Sequence, residues 1–112
     1  MKIGFIGLGN VGAKLAGSLL RNGFDLTVRD VDQNLTDQFK SSGAKVANSG
    51  KELAEQVDLI ITSLPSLKIS AEVMETEDGV LEGLSENKIW LEMSTTDEAE
   101  VKRIGEKVIA KN

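Results

Sequence analysis

Three glycines at positions 7, 9 and 12, inside the hexapeptide GLGNVG, follow the short apolar run KIGFI and open a stretch with helical spacing. Glycines so placed suit one kind of chemistry. Gly7 permits a tight turn, Gly9 lets the backbone approach a pyrophosphate, and Gly12 lets the following helix pack closely on the strand. The N-terminus of that helix adds unpaired N–H groups and a partial positive charge, so a diphosphate can be held without a basic side chain. Leu8, Asn10 and Val11 complete the loop and are counted among the expected cofactor contacts. A glycine-rich turn with no ligand would use the same residues, so the hexapeptide alone leaves both readings open. Asp30 bears on the choice. It stands 18 residues after Gly12, at the end of the second strand-like run, where an acidic side chain accepts hydrogen bonds from adenosine ribose hydroxyls. An aspartate there also repels a 2′-phosphate, which favours NAD over NADP. Arg29 beside it is expected on the opposite face of the strand. The plainer role for Asp30 is a turn or cap residue ahead of the second helix.

The elements that must position these residues alternate between short β-type runs and longer helical patterns, the signature of a parallel α/β sheet. Strands are expected at Lys2 to Gly7, Asp25 to Asp30, Ala44 to Ala47, Val57 to Leu64 and Lys88 to Met93. The first helix offers Val11, Leu15, Ala16, Leu19 and Leu20 as a core-facing stripe and stops at Gly23. The second, near Asn34 to Ser41, uses Leu35 and Phe39. Ser49 and Glu52 have capping-box spacing for a third, which buries Leu53, Ala54 and Val57. Ser66 caps a fourth bearing Ile69, Val73 and Met74, followed by a TEDG loop. Thr95 to Glu98 repeats the capping-box spacing ahead of a last helix with Val101, Ile104, Val108 and Ile109. Right-handed crossovers give a doubly wound, Rossmann-type sheet in the order 3-2-1-4-5, with a ligand crevice where the winding reverses. Gly7 to Gly12, Asp30, Leu64 to Ser66, and Ser94 with Thr95 all follow carboxyl ends of strands, so four distant segments converge there.

Composition removes other chemistries. The 112 residues suit one domain, spanning 1–112, and contain neither cysteine nor histidine, so disulfides, thiol nucleophiles and a zinc site are excluded. No metal ligand set and no catalytic residue is assigned. The net charge of -5 argues against nucleic acid and anionic membranes as partners. No apolar run approaches the ~20 residues that span a bilayer. No secretory leader is expected ahead of the first strand, and the cytoplasm is the expected compartment.

GFIGLGNVGAKLAGSLLRNG resembles the opening signature of the β-hydroxyacid dehydrogenases, a family that includes 3-hydroxyisobutyrate dehydrogenase, tartronate semialdehyde reductase and, more distantly, 6-phosphogluconate dehydrogenase. Val11 stands where the family usually has methionine. DLIITSLPS is similar to a second family segment, and the likeness implies that Leu64 and Pro65 lie against the cofactor. LEMSTTDEA is similar to a third, with Glu92 in place of an aspartate and Glu98 in place of a proline, and it implies a cofactor contact at Thr95. The resemblance spans the whole chain. It implies an oxidoreductase that moves a hydride between NAD and a small 3-hydroxyacid, in a homo-oligomer built mainly through a helical part. Family members continue with a substrate-binding segment, a catalytic lysine and an all-helical domain, none of which has a match here. The chain therefore reads as the dinucleotide-binding portion of such an enzyme, cut before the later strands and inactive alone. A non-catalytic dinucleotide-binding or protein-interaction module is the alternative. An FAD or S-adenosylmethionine domain would leave the Leu-Pro and Ser-Thr segments unmatched.

Overall fold

In the computed structural model, which describes residues 1–93 and 98–111, strands and helices alternate nearly throughout. The order is β1 (Lys2–Ile6), α1 (Asn10–Arg21), β2 (Asp25–Arg29), α2 (Gln33–Ser41), β3 (Lys45–Val46), α3 (Gly50–Gln56), β4 (Leu59–Thr62), α4 (Leu67–Glu75), α5 (Val80–Gly83), β5 (Ile89–Glu92) and α6 (Glu98–Ala110). The five strands are parallel and ordered β3-β2-β1-β4-β5, the expected Rossmann-type order.

Alternation along the strands feeds two cores, one on each face of the sheet. Ile3, Phe5, Leu26, Val28 and Ile61 pack with Leu8 and Ala16, and with Leu19, Leu20, Leu35 and Phe39 of α1 and α2. Ile6 and Ile60 face the other way, onto Leu53 and Ala54 of α3, Met74 of α4, Val80 and Leu81 of α5, and Ile104 and Val108 of α6. Gly4 also faces this second core, and a Cβ there would lie 2.4 Å from Leu53 Cδ2, so the missing side chain lets α3 settle onto β1. Asp32, Ser49 and Ser66 cap α2, α3 and α4 by accepting from the N–H groups of Asn34, Glu52 and Ile69. The capping box at Thr95 and its neighbour Ser94 lie outside the described residues.

Several expectations are corrected. The stripe of α1 holds at Ala16, Leu19 and Leu20 but is shifted at its start: Gly12 is buried, whereas Val11 is 65% exposed and Leu15 lies at the surface. The helix presses its smallest residues against the sheet because they allow the closest approach. Ile109 is likewise exposed, while Ile104 and Val108 carry the burial of α6. Val57 belongs to the end of α3 as its buried C-cap and not to β4. Gly7, Asp30 and Leu64, expected inside strands, lie just beyond them, because their backbones already form the turns at the carboxyl edge. After the TEDG segment the chain forms the unforeseen helix α5, whose Val80 and Leu81 complete the second core.

An ionic cluster joins α4 to α6. Glu75 receives two hydrogen bonds from the Arg103 guanidinium, at 2.9 and 2.5 Å, and another from Lys107. The Arg103 bonds first, then that of Lys107, lower the Glu75 pKa from 4.5 to about 2, against a smaller opposing effect of burial. A depressed carboxylate pKa contributes stability that is complete above the unfolded value and is lost as pH falls through the folded one. Partial exposure limits the gain to about 1 kcal/mol. Glu75→Gln should therefore unfold at lower urea than the parent at pH 7, and the two should converge near pH 2. An unchanged gap across that range would contradict the assignment.

Candidate functional site

At the carboxyl edge of the sheet, where β1 and β4 lead their connections to opposite faces, lies a cleft of about 1150 Å³. Gly7, Gly9, Asn10, Val11, Gly12, Asp30, Leu64 and Pro65 all line it. Leu8 does not: it is 1% exposed, with its side chain in the core beside Phe5 and Ala16, and it serves the loop from beneath. Thr95 lies outside the described residues, two positions beyond Met93, which lines the cleft at the end of β5.

The three glycines are needed for three different reasons. Gly7 has φ +101°, a region costly for residues with a Cβ, and a Cβ there would stand 2.1 Å from the Ser63 carbonyl oxygen. Gly12 would place a Cβ 1.9 Å from the Gly7 carbonyl oxygen and 3.3 Å from the Phe5 ring, so its absence sets how closely α1 sits on the loop. Gly9 is unlike both. Its φ of -69° is open to any residue, and a Cβ there would meet nothing within 4 Å. The fold does not require glycine at position 9, yet that position borders the cleft. As the N-cap of α1, Gly9 offers no side chain to the first turn, which also contains no acidic residue. The N–H groups of Asn10, Val11 and Gly12 precede the first intrahelical bond, made by Ala13 to the Gly9 carbonyl at 2.7 Å. Amides at the start of a helix can hold an anion without any side chain.

Asp30 lies beside it. Its Oδ2 accepts from the Leu8 N–H at 2.7 Å and its Oδ1 from the Asp32 N–H at 2.8 Å. The cap of α2 is Asp32, so of the plainer roles foreseen for Asp30 the cap belongs to its neighbour, while the turn is its own, closed by the Asp32 N–H on Oδ1. Arg29, expected on the far face, contributes to the cleft lining as well, because the cleft wraps the end of β2.

Sequence reasoning missed one wall. Asn48, Ser49 and Gly50 line the cleft from the connection of β3 to α3, and Ile69, Glu72, Val73 and Thr76 line it from α4. The first group was within reach, since it too follows the carboxyl end of a strand. The second was not. Ile69 and Val73 are apolar at helical spacing, which reads as core, whereas Ile69 is 37% exposed and faces the cleft. A short turn carries the wall onward through Asp78, at φ 61°, to Gly79.

Comparison with known proteins agrees with this geometry. The model of the NAD binding domain of 6-phosphogluconate dehydrogenase matches residues 2–112. The chain belongs to that family. It is 37% identical over 106 residues to the mitochondrial 3-hydroxyisobutyrate dehydrogenase of Mus musculus, a match that covers 95% of this chain and 32% of the mouse protein. Among solved structures, the imine reductase of Myxococcus stipitatus in complex with NADP+ superposes with a TM-score of 0.89 at 17% identity, over 99% of this chain and 38% of that one. Its V8 variant in complex with NAD+ gives 0.88 at 17% identity, over 98% and 37%. The 3-hydroxyisobutyrate dehydrogenase of Mycobacterium tuberculosis gives 0.85 at 21% identity, over 98% and 37%. At these identities the structural likeness establishes the fold, a Rossmann-type doubly wound sheet. The family member described here spans about a third of the length of the curated relatives it matches.

Proposed function

We propose that this domain seats NAD, in preference to NADP, within an oxidoreductase that moves a hydride between the nicotinamide and a small 3-hydroxyacid. The observation that carries the reading is Gly9: a glycine that neither conformation nor packing demands, bordering the cleft at the N-terminus of an uncapped helix. A diphosphate approaching the backbone supplies the missing reason. The N–H groups of the α1 first turn would hold the pyrophosphate, Asp30 would accept from the adenosine ribose, and Leu64, Pro65 and Thr95 would lie toward the nicotinamide half. The bound nicotinamide supplies hydride transfer. The residues of this chain bind it and orient it, and the acid–base chemistry of the hydroxyacid is assigned to other parts of a homo-oligomeric parent, which leaves the domain inactive alone.

Charge supports the choice of NAD. Arg29 is outnumbered in the cleft lining by Asp30, Asp32, Glu72, Glu77 and Asp78. A 2′-phosphate brings a further charge of about -1.5 to -2 into that field. Calorimetric titration tests the proposal: NAD should bind, NADP should bind more weakly, and FAD and S-adenosylmethionine should give no heat. Asp30→Ala should weaken NAD by about 1 to 3 kcal/mol and NADP by less, which narrows the preference. A folded sample that gives no heat with NAD would overturn the reading.

A further inference from the structure

Ribose recognition uses only part of what the Asp30 carboxylate does. The ladder between β1 and β2 ends where the Gly7 N–H reaches the Arg29 carbonyl at 3.1 Å. Beyond that rung the two backbones separate, and the next bond is made by a side chain, with Leu8 N–H donating to Asp30 Oδ2 at 2.7 Å. The other oxygen takes the N–H of Asp32, whose own carboxylate caps α2. One charged group thus ties the glycine loop to the start of α2, the two segments that flank the cleft on this side. We infer that Asp30 is a positioning residue for the diphosphate seat, acting through the Leu8 peptide, in addition to any contact with ribose. The inference rests on the dinucleotide reading of the cleft.

The bonds are charge-assisted and stronger than neutral ones. They also leave room for a ligand, because each carboxylate oxygen has a second acceptor site for a ribose hydroxyl. Leu8 is anchored twice, by its side chain in the core and by its N–H on Asp30. Without the carboxylate only the first anchor holds, and the peptides that lead into Gly9 and the α1 N-terminus lose their fixed direction. A seat made of backbone N–H groups works only while those groups converge.

The test separates loop from ribose with a ligand that has no ribose hydroxyls. In the folded domain, ADP and 2′,3′-dideoxyadenosine diphosphate are titrated into the parent and into Asp30→Ala, with amide chemical shifts as the readout. If Asp30 serves ribose alone, the variant binds the dideoxy ligand as well as the parent does, or better, since a negative charge near the diphosphate is gone. The positioning role predicts the opposite sign: affinity for the dideoxy ligand falls about tenfold, the value of one charge-assisted bond, and affinity for ADP falls further. Unchanged or tighter dideoxy binding overturns the inference and leaves the dinucleotide reading intact, whereas a parent that binds neither ligand overturns both. Should Asp30→Ala fail to fold, the parent answers directly: a scalar coupling across the hydrogen bond, between the Leu8 amide nitrogen and the Asp30 carboxyl carbon, should be present and should persist when ADP is added. Its absence, or its loss on adding ADP, overturns the positioning role.

Discussion

Gly12→Ala should lower the stability of the domain by about 3 kcal/mol, near the upper end for overpacked sites. Alanine is the better helix former by about 1 kcal/mol, and at an exposed helical site the change would stabilise. Here the new methyl would stand 1.9 Å from the Gly7 carbonyl oxygen and 3.3 Å from the Phe5 ring. Neither neighbour yields cheaply, because Phe5 is fully buried and Gly7 is itself confined by the Ser63 carbonyl. The first turn of α1 must lift off the sheet, which uncovers part of the core beneath Ala16. Trp90, the single tryptophan, packs on the opposite core and donates to Thr62 Oγ1, so its emission reports global unfolding and not the local change at Gly12. Urea unfolding followed at Trp90 should show a lower midpoint for the variant. A midpoint equal to that of the parent would mean that the close approach at Gly12 can relax without consequence.

Gly9→Ala, three residues earlier, should behave in the reverse way. Its φ is ordinary and its Cβ would meet no atom, so the change in stability should stay within about 1 kcal/mol, the ordinary range for exchanging glycine and alanine at a helix N-cap. Affinity for NAD should nevertheless fall about thirtyfold, roughly 2 kcal/mol, because the methyl occupies space through which a diphosphate reaches the α1 N–H groups. Calorimetric titration beside urea unfolding checks both halves. Two glycines of one hexapeptide would then divide cleanly, one needed by the fold and the other by the ligand. A Gly9→Ala variant that binds NAD as tightly as the parent would leave position 9 without a function.

Particular residues show how far the sequence could be read. The order of the strands was legible once the alternation was read as a Rossmann-type sheet with right-handed crossovers, since every helix that was foreseen had a cap or a glycine stop. Capping at Ser49 and Ser66 was legible because a hydroxyl before a helix has few other uses. The start of the α1 stripe was misread, at Val11 and Leu15, because hydrophobicity was taken as the measure of burial. Gly12 and Ala16 are buried for being small, and Val11 is left at the cleft. The same assumption hid the α4 wall, where Val73 does pack on the second core but Ile69, apolar at the same spacing, faces the cleft. Helix α5 was concealed by its length of four residues and by the polar segment before it. At the site, Gly7, Gly9 to Gly12, Asp30, Leu64 and Pro65 were found from spacing and strand ends and meet in one cleft. The bond between Asp30 and Leu8 was beyond reach, because it joins residues just past the ends of neighbouring strands and depends on where the two backbones part.

The account depends most on the claim that the backbone at the start of α1 receives the diphosphate. The most direct measurement is a map of amide chemical-shift changes as NAD is added to the isotopically labelled domain. The largest changes should fall on Gly9, Asn10, Val11 and Gly12, with a second group at Asp30 to Asp32. Changes confined to other surfaces, or a glycine loop that stays silent while NAD binds, would contradict it.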